Sequence, residues 1–593
     1  MKANTGLKFG LLAAVVLAFV PAVTGSTVLT NSPGGFNAGL TRAVGEGDTS
    51  GGLLRLGSSA TCDSLDSAQT FDSWCLVVQR IFSRNLMSFA GKPGDKGLSV
   101  TPDLVVDLPV VNTDSTVWTY TLRDDVFWSD GTPVTSYDVK YAIQRLYDDS
   151  LQSPISLETL CLFTLCTKGV PDYKGPYVSP TEDLPAIITP DERTVTFNLT
   201  RPFSEFSRLL ATPQFAPIQM ARDIELRAAG STYKTNPASN GPFVLAIDQS
   251  DALYSFTKNQ FWTQESDGIR IPKVDAMSWK VFPDGDSTDR ALINGEIDIK
   301  LNYGLAPLAR DATLVSKENR ALIDNPEMGF VNFLFVNPKV PPLDRAPCRD
   351  AIFYALDKLD LQAVRGGSAS VAIAHSISPP TILGYDNSYN PYPSGSNESG
   401  NIKKARESLA QCGYPDGFQT KMSYVAIGIG KDIFLSVQKS LARVGIVVDP
   451  VEYGNFAEYF TTGIGSPDTM STQKIGIAAT GWGPDYSSAL SFWAPLVDGR
   501  KIKSAANQNF AELNLDEINS LLDQLDAAAT PAEAARLSKA IEKLVMNEAV
   551  YLPYGVDRLV LYRPRNLTDI YVQIALGNQY DIVNVGKLEN PLK

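Results

Sequence analysis

Histidine is nearly absent: His375 is the single one in 593 residues. That excludes a metal site built on several imidazoles and leaves little scope for imidazole acid–base chemistry. Cysteine is sparse, six in all, with no C-x-x-C spacing and none before Cys62. Basic residues are the minority charge, 52 Lys+Arg against 65 Asp+Glu, for a net charge of −13. A nucleic-acid binder needs a basic stripe to neutralise phosphates, so that class is set aside. After the N-terminal stretch, no apolar run reaches the about 20 residues of a membrane span. What remains is a chain 44% hydrophobic and 20% charged, the composition of a folded globular protein. Its length suggests about four domain-sized units.

Residues 1–25 carry Lys2 and Lys8, then the apolar run Phe9 to Val20, Pro21 and small residues from Ala22 to Gly25. This is the pattern of a secretory signal peptide or an uncleaved signal-anchor, and it implies export. Residues 26–51, rich in Gly, Ser, Thr and Asn without periodicity, read as a flexible tether. The six cysteines, Cys62, Cys75, Cys161, Cys166, Cys348 and Cys412, allow fifteen pairings. Pairing in sequence order is the simplest, because an exported chain meets an oxidising compartment. Zinc is the rival for these thiols, but it lacks both the spacing and a nearby histidine.

Structure begins at Leu53-Leu54-Arg55-Leu56-Gly57, a short strand. Trp118 to Leu122 and Val195 to Leu199 alternate apolar and polar residues with the period of half-buried strands. Between them Asp130-Gly131 has turn chemistry, and Thr135 with Asp138 forms a capping-box pattern ahead of Val139, Ile143 and Leu146. Helices are predicted over Pro347 to Lys358, Ile402 to Gln411 and Ile433 to Val444. Another follows the Thr530-Pro531-Ala532-Glu533 start, with Leu537, Ile541, Leu544 and Val545 on one face. Mixed strands and helices without a fixed-period repeat indicate an α/β protein of several lobes.

Catalytic patterns were tested and fail. Gly428-Ile429-Gly430-Lys431-Asp432 lacks the hydroxyl residue and the leading glycine of a phosphate loop. Ser436-x-x-Lys439 matches one element of penicillin-recognising enzymes, but the companion S-D-N and K-T-G elements are missing. A secreted serine hydrolase is therefore only a distant alternative, and no cofactor or metal is implied.

An ordered set of segments carries a resemblance. It runs Thr101-Pro102-Asp103-Leu104; Trp118 to Arg123; Val126-Phe127-Trp128-Ser129-Asp130-Gly131-Thr132-Pro133 through Val139; Ser239 to Phe243; Asn259 to Trp262; and Leu292 to Asp298. It continues through Cys348 to Lys358, Gly413 to Phe418 and Gly481-Trp482-Gly483-Pro484-Asp485-Tyr486. In this order, from Gly52 to the C-terminus, the chain resembles the extracellular solute-binding proteins of peptide ABC transporters, the oligopeptide/dipeptide-binding family (solute-binding family 5). The likeness is to actinobacterial members in particular, since Cys62, Cys75, Cys348 and Cys412 are similar to the cysteines of their secreted forms.

The resemblance implies a two-lobed, periplasmic-binding-protein-like (class II) clamshell with an extra domain. The expected division is lobe I over 52–72, 190–281 and 550–593, the extra domain over 73–189, and lobe III over 282–549. It implies a receptor rather than an enzyme, with peptide ligand and ABC permease transmembrane subunits as partners, no nucleic acid, and a monomer as the default. The implied location is outside the cytoplasmic membrane, in the cell envelope. The same fold also hosts other cargoes such as nickel chelates, haem or sugars. Gram-positive members usually carry a lipidated cysteine just after the signal; here the first is Cys62, so surface retention uses an uncleaved signal helix, another mechanism, or none at all.

For the site, the resemblance assigns Asp485 to the ligand α-ammonium. Gly481 and Gly483 would allow close approach of ligand backbone, with Trp482 and Tyr486 as apolar walls. No Arg or Lys is assigned to the ligand carboxylate.

Overall fold

A computed structural model describes residues 34–588, apart from 46, 48, 168–169, 249–252 and 529. The segment 1–25, read from the sequence as a signal peptide or signal-anchor, lies outside the described residues. Among those described, no helix is long and apolar enough to cross a membrane.

Three sheets organise the chain. The first has five strands in the order Phe243–Asp248, Leu253–Lys258, Ala276–Val281, Leu53–Ser58, Ile299–Lys300. Its Leu53–Ser58 strand lies parallel to both neighbours. The second has four strands, with Val117–Thr121 antiparallel to Thr194–Asn198. The third has six, in the order Val371–Ile373, Tyr551–Arg558, Glu327–Val336, Ile475–Trp482, Gln419–Val425, Val447–Tyr453. The chain passes from the first sheet to the third between Lys300 and Glu327, and returns after Arg558. The two crossings pair with each other, Ile323 opposite Tyr562 and Asp324 opposite Leu561. This is the two-lobed clamshell with an extra domain.

The sheet pairings draw boundaries that differ from those expected. Ile299–Lys300 pairs with Leu53–Ser58, which carries lobe I beyond residue 281. Tyr551–Arg558 pairs with Glu327–Val336, so lobe III extends past 549. Thr194–Asn198 pairs with Val117–Thr121 and belongs to the extra domain rather than lobe I. The helix Ser73–Phe82 packs on lobe I, with Trp74 edge-on to Trp279 at 5.9 Å and Arg80 bonded to Asp581 at 3.1 Å. In each case a long-range hydrogen-bonded partner or buried contact decides membership, and no local pattern encodes it.

The flexible tether expected over 26–51 also differs where the structure describes it. Asn37 N–H donates to Ile323 O at 2.8 Å and Gly39 N–H to Asp324 Oδ1 at 2.8 Å. Asn325 N–H donates to Asn37 Oδ1 at 2.7 Å, and Val44 bridges Ile570. Asp324 is fully buried and also takes the Tyr580 hydroxyl at 2.9 Å and an Arg563 ion pair. These contacts fasten the segment to the paired crossings.

Most local sequence signals formed as read, but the helix expected over Pro347 to Lys358 ends at Ala355, where Leu356 turns extended and Asp357 caps a new helix, Lys358–Val364. Thr135 and Asp138 make a complete capping box on Ser136–Arg145, Ile402–Gln411 is helical, and Thr530 caps Pro531–Asn547. Gly131 holds the Asp130 turn at φ +86°, where a Cβ would lie 2.8 Å from the Phe261 ring. Asp103 of the Thr101-Pro102-Asp103 motif is a buried structural charge, bonded to Arg84 Nε at 2.8 Å and Arg270 Nη2 at 2.9 Å. The cysteines pair in sequence order as Cys62–Cys75, Cys161–Cys166 and Cys348–Cys412.

Candidate functional site

Strand Ile475–Trp482 runs antiparallel to Glu327–Val336, with Trp482 opposite Val331. The chain leaves the strand through Gly483 and Pro484 and enters helix Ala489–Val497, whose cap Ser488 accepts from Ser491 N–H. The intervening loop is held at several points. Asp485 N–H donates to Ser491 Oγ at 3.0 Å, Ser487 Oγ to Thr381 O at 2.9 Å, and Trp482 Nε1 to Phe492 O at 3.0 Å. The Asp485 backbone is therefore fixed while its side chain projects from a rigid loop.

Asp485 and Tyr486 line a cavity of about 40 Å³ with Phe71, Pro154, Ile155 and Leu209 from the opposite side of the cleft. Asp485 is open to solvent, yet the surrounding walls desolvate it and push its carboxyl pKa up. The two facts are compatible, because a narrow cleft admits water while displacing most of a carboxylate's hydration. Burial is the sole cause of the shift; no cation among the described residues offsets it. The arrangement is a desolvated carboxylate at the wall of a narrow cavity.

Tyr486 is held neutral by burial, with Glu205 and Asp485 nearby. Glu205 accepts from Ser488 Oγ, and burial raises its pKa. Arg208, one turn along, is lowered by burial despite Glu205; it donates to Leu98 O at 3.1 Å and lies over the Phe89 ring at 5.7 Å. Lys501 and Glu158 pair at 2.5 Å, Arg201 pairs with Asp526, and Ser204 N–H donates to Asp526 O at 3.1 Å. These contacts join the two sides across the mouth of the cleft.

The two glycines also serve strand packing. A Cβ on Gly481 would lie 2.3 Å from the Phe330 ring, and one on Gly483 would lie 3.0 Å from Gly329 O. The space their missing side chains leave is taken from the neighbouring strand, by Phe330 and the Gly329 carbonyl. Phe330 is 40% exposed. Trp482 is partly buried against the core, with its indole N–H already engaged.

Phe330, Glu205 and Phe71 carried no sequence signal, because each reaches the site from a distant segment. Ser436 Oγ donates to Asp360 at 2.6 Å, and Lys439 Nζ stands on the same carboxylate at 3.2 Å, so the pair ties two helices together. His375 stands 3.8 Å from Glu398, beside buried Lys358; that lysine donates to Ala374 O at 2.7 Å, and burial pushes its pKa down to about 8.

Residues 99–504 match the model described as bacterial extracellular solute-binding proteins, family 5 Middle. Glutathione-binding protein GsiB of Escherichia coli O1:K1 / APEC is 25% identical over 534 residues, covering 89% of this chain and 93% of its own. The solved clavulanic acid biosynthesis oligopeptide binding protein 2 is 36% identical with a TM-score of 0.85, covering 94% of this chain and 100% of its own. The ABC transporter-associated periplasmic binding protein DppA from Helicobacter pylori, in complex with the peptide STSA, shares the fold at 20% identity and a TM-score of 0.62. That match covers 91% of this chain and 99% of DppA.

Proposed function

The chain belongs to the bacterial extracellular solute-binding proteins, family 5, and from that membership we propose that it is the receptor of an ABC importer, capturing peptides between its lobes and delivering them to a permease. The observation that carries the peptide reading is Asp485, a desolvated carboxylate facing the cleft without a cation to neutralise it. A peptide α-ammonium, with a pKa of about 7.7–8.0, supplies that cation at neutral pH. Relatives named for glutathione and oligopeptides support the cargo class.

The role is binding rather than catalysis: Ser436 and Lys439 are spent on Asp360. Cys62 is bonded to Cys75, which removes it as a lipid attachment point. Retention at the envelope then rests on residues 1–25. A single copy presents both lobes to one permease, so the working unit is a monomer.

Calorimetry with a mixed peptide pool, and mass spectrometry of ligand co-purified with the exported protein, test the reading. Free peptides bind, N-acetylated ones bind at least 30-fold more weakly, and Asp485→Asn removes the difference. Losing one side of a buried charged pair costs about 2–5 kcal/mol. Tight binding of acetylated peptides alone would defeat the Asp485 assignment.

A further inference from the structure

A second and larger cavity, about 280 Å³, lies where the lobes meet at the crossings. That volume is many times the roughly 10–15 Å³ one water requires. From lobe I it receives Ser59, Gly285 and Lys300, just beyond or at the carboxyl ends of the parallel strands Leu53–Ser58, Ala276–Val281 and Ile299–Lys300. Crevices outside the carboxyl ends of such strands are where open α/β sheets bind ligands. From the other side come Ser370 and Arg558, and from the crossing Arg310.

Among the described residues, three cations line this cavity and no carboxylate does. Their partners stand behind them: Asp289 at 2.6 Å from Lys300, Asp311 at 2.7 Å from Arg310, and Glu327 on Arg558. The donors are not exhausted. An ammonium has three N–H groups and a guanidinium five. Arg558 spends Nη1 on Ser368 O and Nη2 on Glu327, while its Nε is buried without an acceptor among the described residues. A buried donor without a partner is costly, and an incoming acceptor relieves it.

We propose that this cavity is an anion-binding site that takes a carboxylate or small oxyanion between the two lobes. Guanidinium forks match the two oxygens of such groups. Two sources share the chemistry: the acidic end of a cargo, or a free anion. The cargo source rests on the peptide-receptor reading; the free-anion source does not.

The test is calorimetry of the full chain with inorganic phosphate, trialanine and trialanine amide. The three are titrated into wild type, Arg558→Gln and Arg310→Gln, each checked for folding by thermal melting. If the anion is free, phosphate binds wild type and weakens at least tenfold in each folded variant. If it belongs to the cargo, trialanine binds wild type at least tenfold tighter than its amide, and the gap closes in the variants. Hydrogen exchange of wild type with and without phosphate or trialanine needs no variant, and protection is expected at 58–60, 303–306 and 369–370. Phosphate binding with no peptide bound at all upholds the site and defeats the peptide reading. Trialanine binding without an amide gap, with no phosphate binding and no protection at those segments, overturns the site and leaves the peptide reading standing.

Discussion

Ser488 Oγ donates to the Glu205 carboxylate across the mouth of the cleft. The first turn of a lobe III helix is thereby joined to the start of Phe206–Leu210 on the opposing side. Around it, Arg201 with Asp526 and Lys501 with Glu158 form the rest of a latch.

The latch makes closure pH-dependent. Asp526, facing Arg201 and Lys501 but also Glu158 and Asp523, is pushed up to about 6, chiefly by burial, and Glu205 is raised for the same reason. A carboxyl with a raised pKa in the closed form binds its proton more tightly there than when the lobes part and water returns. Closure therefore strengthens as pH falls below about 6, and this contribution is lost as pH rises through it. Small-angle scattering of the ligand-free protein from pH 5 to 8 is expected to show a shrinking radius of gyration toward acid, and Asp526→Asn is expected to flatten the profile.

Gly481→Ala is expected to destabilise by about 1–3 kcal/mol through overpacking, because its Cβ meets the Phe330 ring at 2.3 Å and Val331 O at 2.9 Å. Adding Phe330→Ala recovers only part of this, since the backbone oxygen stays. Urea unfolding of the two single variants and the double variant checks it; full recovery would contradict the geometry.

The disulfides differ in weight. Cys348–Cys412 spans a separation of 64 residues and Cys161–Cys166 only 5. Chain entropy assigns them about 4 and about 2 kcal/mol respectively. Replacing each pair by alanines and comparing guanidinium midpoints should give the larger loss for the first.

Asp324→Ala removes acceptors for Gly39 N–H and Tyr580 and the carboxylate of the ion pair with Arg563. Breaking a buried pair in this way costs about 3–5 kcal/mol. Hydrogen exchange should show residues 37–44 losing protection before either lobe does; unchanged protection there would mean that other contacts hold the segment.

What could be read from the sequence was mostly local. The Thr135–Asp138 box and the Thr530 cap encode their helices within four residues, and the Asp130-Gly131 turn needs only a glycine at φ +86°. Asp485 could be nominated because it stands in a compact motif on one loop. Domain edges were not, because Tyr551–Arg558 joins lobe III only by pairing with Glu327–Val336, over 200 residues away. Glu205, Phe330 and the Lys300, Arg310 and Arg558 wall are ordinary residues in the sequence, and tertiary folding alone brings them to a cleft. At Gly481 the small size was legible, but the Phe330 ring packed against it was not.

The clasp of residues 37–44 on Asn325, Asp324 and Ile570 has a mechanical consequence. A force transmitted along the chain from upstream of residue 37 enters the body at the paired crossings between the lobes and not at either lobe's far end. Tension on that segment exerts little torque toward open or shut, so the molecule can be held from this end while both jaws remain free to move.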